Sequence, residues 1–130
     1  MSDKRERLPN TRRGVTHKAV ILAGEPAGRV KFFFTVGCYA DGRPAELFLH
    51  MDESGSTLDG FADAWSIAIS LCLQSGIPLK KIVEKFSWQE FEPKGRTENA
   101  EIRVARSVVD YVVRWMELRF GAEGKTEGGG

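Results

Sequence analysis

Arg12, Arg13, His17 and Lys18 form the densest cationic group in the chain, all within seven residues. Guanidinium groups grip phosphate oxygens through a planar fork, and imidazole and ammonium groups add further donors. The surrounding segment, residues 1–18, holds six Lys/Arg against two acids, while the whole chain of 130 residues carries a net charge of only +1. The molecule as a whole is therefore no electrostatic magnet for nucleic acid, and any anion site must be local. A solvated basic arm, residues 1–14, accounts for the same charges. On a strand, His17 shares a face with Val15 and Ala19 while Lys18 points the other way with Thr16. All four basic groups then meet only if the chain bends at Gly14.

Two other sets invite an anion. Gly55, Ser56 and Thr57 precede an apolar period, and the exposed amides and dipole of a helix start attract negative charge. Ordinary capping by Ser56 or Thr57 is the simpler reading of those residues. Arg103 and Arg106 stand at helical spacing with Asp110 and Arg114 on one polar helix face, which reads first as a solvent face with Asp110 flanked by arginines and second as an anion or partner site. Lys80, Lys81 and Lys85 repeat that pattern more weakly.

Catalysis and metal binding find little support. Cys38 and Cys72 lie in a strand-like and a helix-like segment, with no closely spaced pair and no His at ligand spacing. They read as reduced, packed thiols of a cytoplasmic protein, with no metal and no cofactor. His17 and His50 are the only histidines, and no nucleophile stands at a demanding spacing from either. Trp65, Trp88 and Trp115 could stack bases. Helical apolar spacing makes Trp65 and Trp115 core residues and leaves Trp88 as the exposed ring.

The elements that must position these residues follow from periodicity. Three β-branched or alternating runs at 15–23, 29–40 and 46–51 are joined by a turn at Gly24 to Gly28 and a tight Asp41-Gly42 turn. Short turns between consecutive strands predict an antiparallel meander. The period then changes from two to 3.6 near Ser54. Helices are expected near 57–75, 78–87 and 101–120, the first as a central core helix because few charges follow its start, the second opening on Pro78. The expected architecture is one α+β domain over 15–120, a three-stranded antiparallel sheet with about three helices packed on it. A Gly-rich tail, 121–130, is expected to be disordered. No apolar run approaches a membrane span, and the N-terminus lacks the apolar stretch of a secretory signal.

Five segments together carry a resemblance: RERLPNTRRGVTHK at 5–18, TVGCYADGRPAELFLHM at 35–51, GSTLDGFADAWSIAISLCLQSGIPLKKIVEKF at 55–86, FEPKGRTENAEI at 91–102 and ARSVVDYVVRWMELRF at 105–120. In order and spacing they resemble the TSCPD-type accessory domain at the C-terminus of class II, adenosylcobalamin-dependent ribonucleotide reductases. The pentapeptide that names the family is absent. The resemblance implies an accessory module without the barrel, radical cysteine, cysteine pairs or cobalamin site that such enzymes use. The expected function is accordingly non-catalytic. The module would bind a nucleotide-like or phosphorylated anion through Arg12, Arg13, His17, Lys18, Gly55, Ser56, Thr57, Arg103 and Arg106, or act with a reductase subunit. A structural or homo-oligomerisation domain is the alternative, and a small nucleotide-directed enzyme a third reading.

Overall fold

The computed structural model describes residues 5–121. The expectations for the rest of the tail and for the first residues of the arm lie outside the described residues. Strands β1 (Gly14–Leu22), β2 (Arg29–Cys38) and β3 (Pro44–Met51) form the expected meander. Gly24 and Gly28 take φ of 75° and 65°, and Gly42 takes 96°, conformations that side chains with a Cβ avoid. Alternation does the rest. Val15, His17, Ala19 and Ile21 face inward with Phe32, Phe34, Val36, Leu47, Leu49 and Met51, and most are buried.

The sheet has five strands, not three, in the order β3-β2-β1-β4-β5. Strands β4 (Gly95–Thr97) and β5 (Val104–Ala105) form a small antiparallel pair on the outer edge of β1. They were expected as loop and as the first turn of the last helix. Strands of three and two residues are too short to display a period; β4 is held by β1 at Ile21 and Leu22, and β5 is held by β4. Gly95 is required there, because a Cβ would collide with the Leu22 carbonyl.

Helix α1 (Thr57–Gln74) starts at Ser56, whose Oγ accepts from the Asp59 amide at 3.0 Å, and stops at Gly76, with φ 93°. It lies along β3 and also closes that strand's open edge. Ser70 Oγ accepts from the Leu47 amide at 2.8 Å, and Gln74 donates to the Ala45 carbonyl at 3.1 Å. Helix α2 (Leu79–Phe86) begins one residue later than expected, with Pro78 as its cap. It packs on α3 (Val108–Phe120), whose Tyr111 and Trp115 rest on the inner sheet face at Phe32 and Phe34. No described helix is long and apolar enough to cross a membrane.

The last helix was expected from residue 101. Ser107 sets its true start: its Oγ accepts from the Asp110 amide at 3.0 Å and donates to the Gln89 carbonyl at 2.6 Å. The charge rhythm at 103, 106, 110, 114 and 117 misled because β5 and a turn happen to continue the spacing of the helix. Nor is it a solvent face. Asp110 is 0 % exposed, and it binds the amides of Trp88 and Arg106 and the Arg114 guanidinium.

Candidate functional site

The sequence-adjacent cations do not converge. Arg12 folds back onto the sheet in a forked pair with Glu46, at 2.6 and 3.3 Å, which raises the Arg12 pKa. Gly37 makes this pair fit: a Cβ there would lie 2.7 Å from the Glu46 Cγ. Arg13 is exposed, and its carbonyl accepts from the Cys38 amide at 2.9 Å. His17 enters the inner layer while Lys18 stands on the opposite face. The arm is docked through Glu6, which meets Gln74, Tyr39 and Arg43.

At the start of α1 the protein supplies its own anion. The Asp59 carboxylate accepts from the amides of Met51 at 3.0 Å and Gly55 at 3.1 Å. Those two bonds hold it below the usual carboxylate range. Ser56 is the cap, and Thr57 is the first, exposed helical residue. Arg106 pairs with Glu90 at 2.8 Å, and Arg103 is exposed between β4 and β5. Arg106 and Arg114 lie 5.7 and 4.2 Å from the ring of the exposed Trp88. Cys38 is buried and Cys72 half-buried. Among the described residues no three His, Cys, Asp or Glu side chains group as a metal cradle.

What the fold does assemble is two separate uncovered surfaces. The first runs along α1, where Phe61, Ala64, Ile67, Ala68 and Leu71 form an apolar stripe facing solvent, with Phe61 72 % exposed. Beside it, Leu58, Trp65, Phe91, Val108 and Val109 line an open apolar groove of about 550 Å³. The expectation of a buried central helix was half right, since only the face toward β3 is covered. The scarcity of charge pointed to cover on every side, since from Ala64 to Leu73 no residue is charged, but the domain covers one face of the helix and leaves the other to solvent. The second surface is the outer sheet face, which bears Lys18, Lys31, Phe33, Phe48, His50 and Arg96.

The family model of the TSCPD domain matches residues 4–120. The chain belongs to the TSCPD domain family. Similar proteins include the vitamin B12-dependent ribonucleotide reductase of Rhodopirellula baltica, 44% identical over 135 aligned positions covering 98% of this chain and 12% of that one. Those of Streptomyces avermitilis and Bradyrhizobium diazoefficiens are 41% and 38% identical, over 89% and 90% of this chain and 11% and 9% of theirs. The chain thus spans about an eighth or less of the length of these relatives. No solved structure matches.

Inside the TSCPD domain, a polar chain joins β1, α3 and the β4–β5 turn. Tyr111 Oη lies 2.8 Å from His17 Nε2 and accepts from Asn99 Nδ2 at 3.0 Å. That leaves the phenol proton for His17 Nε2 and puts the imidazole proton on Nδ1. Burial lowers the His17 pKa and raises that of Tyr111. His17 is therefore neutral in both states above its unfolded value of about 6.5, where its full contribution is present. As the pH falls through that value the unfolded chain takes the proton first, and stability declines toward the lower folded pKa. The urea midpoint is expected to drop between about pH 7 and 5.5. His17→Gln should flatten that drop, and an unchanged slope would exclude His17 as its source.

Proposed function

We propose that this TSCPD domain is a non-catalytic docking module of a vitamin B12-dependent ribonucleotide reductase, bound to the reductase body through the stripe on α1. The observation that carries this reading is the exposed row of Phe61, Ile67 and Leu71 on a helix whose other face is already packed. Monomeric proteins rarely leave such a row uncovered, and each large apolar side chain gains about 1.5–3 kcal/mol on full burial. The relatives supply the matching context. In each of them the corresponding segment is joined to a much larger chain.

The test mixes the purified chain with a B12-dependent reductase from which the matching segment has been deleted, followed by calorimetry. A stable complex is expected. Phe61→Asp with Leu71→Asp should weaken it at least about 100-fold, equivalent to roughly 2.7 kcal/mol, without lowering the melting temperature of the isolated domain. Equal binding by the double variant would refute the reading. The same exposed stripe favours one other reading, self-association. Sedimentation of the chain alone separates the two: a dimer abolished by the same substitutions, with no reductase complex, makes this an oligomerisation domain.

A further inference from the structure

We infer that the outer face of the sheet is a binding platform for single-stranded nucleic acid, with Phe33 and Phe48 as stacking rings and Lys18, Lys31 and Arg96 as phosphate contacts. It stands independently of α1, on the side of the sheet that no described helix covers.

Strand register builds the platform. Lys18, Phe33 and His50 lie side by side across β1, β2 and β3, and Thr16, Thr35 and Phe48 form the next row. Phe33 and Phe48 are therefore diagonal neighbours on one face, 39 % and 45 % exposed. The His50 ring is 5.5 Å from that of Phe33 and extends the aromatic surface. Lys31 pairs with Val20 in the following row, and Arg96 on β4 sits opposite Leu22. None of Lys18, Lys31 and Arg96 is ion-paired among the described residues. Two acids on this face are already matched, Glu46 by Arg12 and Glu98 by Arg29. Asp52, whose amide donates to the Lys31 carbonyl at 2.9 Å, and Glu53 line a groove with Arg29 and Lys31 at one end of this face, without an ion pair to Lys31.

This chemistry selects its occupant. Flat rings on an open sheet face take the faces of unpaired bases, which a duplex keeps stacked inside. Cations spread over three strands, Lys18 on β1, Lys31 on β2 and Arg96 on β4, match a chain of phosphates better than one phosphate group. A second copy of this chain fits poorly, because a two-fold contact would set the same three unpaired cations against themselves.

The experiment is fluorescence anisotropy of the full chain with a labelled 20-nucleotide strand of mixed sequence, as DNA and as RNA, and with the corresponding duplex, at two salt concentrations. Micromolar binding of at least one single strand is expected, at least about tenfold tighter than the duplex. Phe33→Ala with Phe48→Ala should weaken it at least tenfold. Lys18→Glu with Lys31→Glu should weaken it and lower its salt dependence, and Phe61→Asp should leave it unchanged. Melting temperatures report that each variant is folded. The inference is overturned if neither strand binds below millimolar concentration, if the duplex binds as tightly, or if both folded double variants bind like the parent. None of these outcomes bears on reductase docking through α1, which is read by different residues and a different partner.

Discussion

Asp110→Ala is expected to destabilise the domain by about 3–5 kcal/mol, the cost typical of removing one partner from a buried charge pair. The carboxylate is fully buried and serves three donors on three segments. Oδ1 accepts from the Trp88 amide at 2.6 Å, and Oδ2 accepts from the Arg106 amide at 2.9 Å and from Arg114 Nη1 at 3.1 Å. Alanine leaves two amides and a largely buried guanidinium without their acceptor, and each such loss carries a desolvation penalty. The Trp88 amide is also held in a sharp turn, with φ 67°, a conformation that non-glycine residues adopt only when their surroundings enforce it. Asp110→Asn, which keeps the shape but loses the charge and one acceptor oxygen, should fall between the parent and alanine. Urea unfolding of both variants measures this. A loss below about 1 kcal/mol for alanine would mean that the surrounding groups find other partners.

Trp115→Ala is expected to cost a similar amount, about 3–5 kcal/mol, for a different reason. Its ring meets Phe34 edge-on at 5.0 Å, His17 at 5.2 Å and Phe120 at 6.2 Å. The site lies where α3 crosses the rigid β1–β2 pair, so the sheet has little freedom to collapse into the void. Leu118, three residues on, is 52 % exposed, and Leu118→Ala should change stability by less than about 0.5 kcal/mol. Thermal and urea unfolding of the pair read the contrast. Similar losses for both would misplace the buried face of α3.

The meander and the limits of α1 were legible because each depends on neighbours in the chain. Alternation over 8 to 10 residues sets a strand face, Asp41-Gly42 permits the hairpin, and Ser56 and Gly76 bound the helix. The β4–β5 pair and the start of α3 were not legible. The three-residue β4 exists through bonds to β1, some 75 residues earlier in the chain, the two-residue β5 exists through bonds to β4, and Ser107 had to be distinguished from a charge rhythm that ran through it. Asp110 looked like a surface residue, since nothing near it in sequence reveals that the turn at Trp88 folds over it.

The candidate sites divide in the same way. The sequence by itself determined the family, the change from sheet to helix and the excess of apolar residues on α1, all of which are local or ordered patterns. Only the tertiary structure decided which charges act together. Strand alternation sends His17 and Lys18 to opposite faces, Glu46 takes Arg12, and Asp59 occupies the amides of Met51 and Gly55. Lys18, Lys31, Phe33, Phe48 and Arg96 come instead from four strands spread over 79 positions of the chain, and share one surface because antiparallel pairing brings same-parity residues of neighbouring strands side by side.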